Sequence, residues 1–219
     1  MSVPQTESVK PWFVARVLFV ATDSAAERRT RVAVAGHNND PDTARSGLDD
    51  DETTVRIAAL RSLGRLQDLQ VEELTKALRD PSPAVRIAAL EIAALSDGPE
   101  IASLLDDEEA MVVESAAWAL GERENNTPNT IERLASIAGD HDDPLAREAA
   151  VAALGAIGDE RGLSAILAAT TDKPAVRRRA IISLVAFEGP EVDAAWERAR
   201  TDHDRQVRDA VEELLGPEA

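Results

Sequence analysis

Apolar positions between Ala146 and Thr171 fall into two short stripes. Ala150, Leu154 and Ile157 form one, and Leu163, Ile166 and Leu167 the other. The polar joint Gly158-Asp159-Glu160-Arg161-Gly162 separates them. Spacings of three and four residues put such side chains on one face of a helix. A lone hairpin of this kind has an apolar face and nothing to cover it, so it is stable only beside copies of itself.

The chain supplies the copies. Windows ending at a common helix-closing position begin at Glu27, Val55, Val85, Val112, Ala146, Val176 and Val207, which lie 28, 30, 27, 34, 30 and 31 residues apart. Position five of the window is small at Ala59, Ala89, Ala116, Ala150 and Ala180, which lets neighbouring helices approach. Position nine is Leu63, Leu120, Leu154, Leu184 or Leu215 and fills the seam one turn on. Gly64, Gly121, Gly155 and Gly216 close the window and are read as left-handed helix ends. Position two is Arg in six copies and Val113 in the other. An acidic row precedes the anchors: Asp23, Asp51, Asp80, Asp107, Asp142, Asp172 and Asp202.

The Asp before the turn, the Val-Arg opening, the Ala-Leu-Gly close and the joint Ile157-Gly158-Asp159 resemble the HEAT repeat, in the short form named after phycobilisome lyases. The resemblance runs from about Asp23 to Gly216. It implies an all-α, armadillo-like fold: a right-handed α-α superhelix of about seven antiparallel helix pairs. The second helices would line the concave face, and the Asp and Arg rows would be structural.

The domain reading is a polar tail at residues 1–10 and a single solenoid at 11–219. A capping helix is expected at 11–21, where Trp12, Phe13 and Phe19 crowd together, and a loop insertion at 122–129 inside the longest interval. Asn129 and Glu132 are read as a capping pair for the following helix. Pro41, Pro83, Pro99, Pro144, Pro174 and Pro190 fall at helix starts and none inside a helix core, which agrees with this register.

Composition narrows the function. There is no Cys, so disulfides and thiolate metal sites are excluded. The formal charge of -17 repels nucleic-acid phosphate, and no Lys-rich stripe offsets it. With 21 Arg against three Lys, the chain suits either a halophile or an ordinary acidic protein. The apolar run from Phe13 to Ala21 is interrupted by Arg16 and too short to span a bilayer, and no signal peptide is read. A cytoplasmic location is expected.

No catalytic constellation stands out. His37, His141 and His203 all lie in proposed loops, and the carboxylates around His141 are ordinary turn and cap residues in so acidic a chain. An iron-dependent HEAT-repeat hydroxylase family uses His-Glu pairs, which are absent here. No enzyme activity, metal or cofactor is expected. Positions three and seven offer a sharper signal. Ile57, Ile87, Trp118 and Ile182, with Arg61, Glu91 and Arg178 among them, form a stripe beside the buried one. That mixture suits a protein- or peptide-binding hot spot on the concave face, but the same apolar side chains could equally pack on adjoining helices. The expected function is a non-catalytic protein-interaction scaffold. The alternative is a lyase- or chaperone-like accessory factor acting on a cofactor-bearing protein.

Overall fold

The computed structural model describes residues 23–96 and 98–216. The expected tail at 1–10 and capping helix at 11–21 lie outside the described residues. The described residues are helical throughout, with no strand among them. In chain order they form α1 (Ala25–Ala35), α2 (Pro41–Arg45), α3 (Thr53–Leu66), α4 (Val71–Ala77), α5 (Pro83–Ala93) and a 3-10 turn at Ala102–Asp106. These lead to α6 (Ala110–Gly121), α7 (Pro128–Asp140), α8 (Pro144–Ile157), α9 (Leu163–Ala169), α10 (Pro174–Ser183), α11 (Pro190–Arg200) and α12 (Arg205–Leu215). The fold is an all-α solenoid.

The seven windows become α1, α3, α5, α6, α8, α10 and α12, and each packs on the next in that order. The segments between them are the first helices of the pairs. Pro begins α2, α5, α7, α8, α10 and α11, where its missing N–H costs nothing. Pro99 does not begin an α-helix. The interval there is the shortest, and the first helix shrinks to the 3-10 turn. The segment from 122 to 127 is the loop before α7, and Thr127, not Asn129, caps that helix by accepting the Thr130 N–H at 3.2 Å.

Position five is fully buried at Ala59, Ala89, Ala116, Ala150 and Ala180. Buried side chains form one continuous seam from Leu60 to Val211 rather than a central core.

The glycines at the window's end have a different role from the one expected. Gly64 and Gly155 lie inside their helices, which run on to left-handed ends at Gln67 (φ 56°) and Gly158 (φ 67°). Gly121 is the last residue of α6, and among the four only Gly216 has positive φ. What Gly155 permits is contact. A methyl there would stand 2.5 Å from Ser183 Cβ on α10, and one at Gly36 would stand 2.7 Å from Ser62 Cβ on α3. Both buried serines donate to a carbonyl of the preceding helix, Ser62 to Val32 at 3.0 Å and Ser183 to Val151 at 3.1 Å.

A ladder of ion pairs runs along the turns. Arg28 forks onto Asp50 at 2.6 and 2.8 Å, and Arg56 onto Asp80 at 2.8 Å twice. Arg147 grips Asp172 at 2.7 and 2.8 Å, and Arg177 grips Asp202 at 3.0 and 2.9 Å. Each arginine also donates to a carbonyl of its own turn, so one guanidinium ties two successive turns together. The Arg86 rung is weaker. A single bond joins it to Asp107 at 2.8 Å, and its buried Nε has no partner.

The acidic row is therefore partly shifted from the expected one. Asp50, not Asp51, meets Arg28, and His141, not Asp142, holds the matching place before α8. His141 takes over the turn, its Nδ1 accepting the Asp143 N–H at 3.0 Å. Its ladder partner would be position two of α6, which is Val113. The arginine and its carboxylate are lost together.

Hydrogen bonding from Arg28 lowers the Asp50 carboxyl to about 2, and Arg147 likewise holds Asp172 below the usual carboxylate range. At Asp80 and Asp202 burial opposes ionisation, but the facing arginine and turn N–H more than offset it.

Two tests follow from the packing. Gly155→Ala should destabilise the fold by about 1–3 kcal/mol in thermal or urea unfolding, because Ser183 must move. Gly139→Ala, in α7 with open space around it, should instead stabilise by about 0.5–1 kcal/mol. A third concerns acid. A carboxyl depressed in the folded state stabilises above its unfolded value of about 4 and loses that contribution as pH falls. For Asp50 the loss runs from there down to about 2. Melting temperatures across that window should fall less steeply for Arg28→Met than for wild type.

Candidate functional site

Stacking leaves one side of each second helix uncovered. On α6 the buried positions are Val112, Val113, Ala116, Ala117, Ala119 and Leu120. Trp118 is left outside that set and is 44% exposed. It lines an open groove of about 430 Å³ between α6 and α8. The floor is alanine: Ala149, Ala152, Ala153 and Ala156. Leu145, 56% exposed, adds a second large apolar side chain.

The groove walls are acidic. Glu114, Glu122 and Glu148 line it, with Arg179 from α10 the one cation. Arg179 lies 3.5 Å from Glu148. Glu114 and Glu122 form no salt bridge among the described residues. An exposed indole flanked by carboxylates can take an apolar side chain or a cation over its face.

A second groove of about 420 Å³ lies between α1 and α3. Ile57 and Arg61 line it, joined by Arg29, Ala33, His37 and Arg65. Arg61 reaches Glu91 of α5 at 3.0 Å. A third cavity of about 450 Å³ lies among the turns and first helices. Most of its charges already have partners: Arg45 with Glu73 at 2.6 Å, Arg56 with Asp80 at 2.8 Å and Lys76 with Asp49 at 2.5 Å. It belongs to the scaffold.

The stripe expected at positions three and seven is thus divided. Trp118 is open. Ile57 and Ile87 are half-buried against the apolar seam, and Ile182 is also half-buried. Arg61, Glu91 and Arg178 are exposed, and the structure joins Arg61 to Glu91 directly. Leu145, Glu122 and Arg179 were missed. The first two stand one turn beyond the stripe, at the positions before and after the window. Met111, at the place equivalent to Leu145, is 67% exposed.

The histidines serve turns and the scaffold. His203 lies 3.3 Å from Arg177 and 3.5 Å from Asp202, and His37 stands 3.2 Å from Arg65. Among the described residues no group of three His, Asp or Glu could hold a metal ion. No described helix is long and apolar enough to cross a membrane.

The repeated pair, its stacked second helices and its turn ladder define a HEAT-type solenoid. A family model described as HEAT repeats matches residues 41–106, 98–174 and 131–216, and the chain belongs to that family. No curated protein sequence matches it. Among solved structures, YibA of E. coli is similar at 19% identity and TM-score 0.62, covering 87% of this chain and 74% of its own. A designed armadillo repeat protein in complex with the peptide (KR)4 is similar at 16% identity and TM-score 0.51, covering 88% and 98%. Human deoxyhypusine hydroxylase aligns at 21% identity and TM-score 0.46, covering 89% and 80%. At these identities the first two likenesses describe the fold alone. Repeats of this kind typically serve as protein-interaction scaffolds.

Partial exposure sets the expected cost of losing Trp118. Trp118→Ala should lower unfolding stability by less than about 1 kcal/mol. Leu154→Ala, at a site 1% exposed, should cost about 2–5 kcal/mol. Urea unfolding of the two variants side by side makes the comparison.

Proposed function

We propose that the protein is a non-catalytic scaffold that binds a protein or peptide on the face lined by its second helices, the concave face of such solenoids. The observation that carries this reading is Trp118, held open in the α6–α8 groove beside Leu145. A soluble protein has little reason to present a large aromatic beside a second bulky apolar side chain unless something covers them. The groove is preformed, so binding orders little of the scaffold and spends its favourable energy on contact.

Glu114, Glu122 and Glu148 suit a segment carrying Lys or Arg next to an apolar residue, and the net charge of -17 would speed its approach. The designed armadillo repeat protein of similar fold is in complex with a basic peptide, (KR)4. Ile57, Arg61, Ile87, Glu91, Arg178 and Ile182 extend the same face on either side of Trp118. The short Ala-Leu-Gly repeat supports placement in the lyase-type branch by motif alone, without implying its chemistry.

The test is a pull-down from host lysate at native salt with wild type and Trp118→Ala, after confirming that both melt alike. A partner identified by mass spectrometry should be held by wild type, and the variant should bind it ~30-fold or more weakly when titrated. Capture of the same set by both proteins, at equal affinity, counts against the groove.

A further inference from the structure

The groove between α1 and α3 has the opposite sign to the rest of the molecule. The chain holds 41 acidic residues against 24 Lys and Arg. Yet this groove is lined by Arg29, Arg61, Arg65 and His37, with no carboxylate among its lining residues. Arg29 makes no hydrogen bond or ion pair among the described residues. Arg65 has a histidine nitrogen at 3.2 Å, which is no counter-ion. Only Arg61 has a carboxylate, Glu91 at 3.0 Å, and that pair is well exposed, so it exchanges easily.

Arginines on the turn side behave differently. Arg28, Arg56, Arg147 and Arg177 each have a dedicated aspartate on the next turn. In so acidic a chain, three clustered arginines with one weak internal partner call for an external anion. The floor also matters. Ile57, Ala33 and Ala58 are apolar and half-buried among the cations, with Ser62 buried and Thr54 exposed. A bare inorganic anion would leave that floor uncovered. A short peptide segment covers both, with a carboxylate on each arginine and an aliphatic side chain on Ile57. Arg61 and Arg65 lie one helical turn apart on α3 and Arg29 faces them from α1, so the cations border the floor on both sides. Guanidinium forks match carboxylates in paired hydrogen bonds. Nucleic acid fits less well, because its dense phosphate charge is repelled by the whole molecule.

We infer that the α1–α3 groove is a second recognition site, for an acidic segment in which Glu or Asp alternates with Leu or Ile. This deepens the proposed reading of the second-helix face, to which Ile57 and Arg61 belong, and does not rest on Trp118.

Fluorescence anisotropy of a labelled peptide alternating Glu and Leu, titrated with the full chain, tests it. Wild type should bind this peptide at least ~10-fold tighter than one alternating Lys and Leu. Arg29→Gln with Arg65→Gln, folded by circular dichroism, should weaken binding by ~10-fold or more. Trp118→Ala should bind the acidic peptide as wild type does, which separates this site from the other groove. Inorganic phosphate should compete only weakly. The inference is overturned if the arginine variant binds as wild type, if the basic peptide binds equally well, if phosphate displaces the peptide stoichiometrically, or if single-stranded DNA binds more tightly than the peptide.

Discussion

At three junctions between neighbouring second helices a single added methyl would crowd the next helix at 3.0 Å or less. At Gly155 the obstacle is Ser183 Cβ at 2.5 Å, at Gly36 it is Ser62 at 2.7 Å, and at Gly121 it is the backbone of Ala153 at 3.0 Å. This spacing explains the alanine-rich position five, the scarcity of aromatics and the continuity of the seam. A helix pair this thin buries too little surface alone, so every pair depends on its neighbours. The serines that fill the closest contacts carry their hydroxyls onto the preceding second helix, so neither buried hydroxyl is stranded.

The turn ladder adds orientation to this stack. One guanidinium binds a carbonyl of its own turn and the carboxylate of the next, which fixes how far each pair rotates on the last. These pairs are partly buried and geometrically strict, unlike ordinary surface salt bridges. The gap between α6 and α8 shows that the rung works as a unit. Val113 replaces the arginine and His141 the aspartate at the same interface. Leaving either charge alone in a half-buried turn would be costly, whereas removing both is tolerated. The longest interval and the Trp118 groove lie at this same junction.

The proposed binding face is what stacking and the ladder leave unused. The scaffold absorbs the turn-side cavity, most of whose ions are paired, and all three histidines have local contacts. The remaining open face carries an indole with glutamates at its middle and arginines at its beginning. That face can discriminate partners by sign as well as shape.

The periodic windows alone determined the fold class, the order of the second helices and most of their buried positions, because every repeat states the same 3.6-residue pattern; Leu215, expected to fill the seam, is instead 41% exposed. α3 falls where the pattern places it, from Thr53 to Leu66. Trp118 was legible as a member of a mixed stripe, but its exposure was not. Nearest-neighbour packing decides whether positions three and seven meet a helix or water, and it left Ile57 and Ile87 half covered while Trp118 stayed open. Gly155 and Gly158 show the same division. The sequence marks both as glycine, but only the approach of α10 shows that one serves contact and the other a left-handed turn. Likewise Asp50 and Asp51 are identical in composition, and only the position of Arg28 across the repeat junction selects between them. Periodicity along a chain determines which residues face inward, and only three-dimensional adjacency determines what they meet.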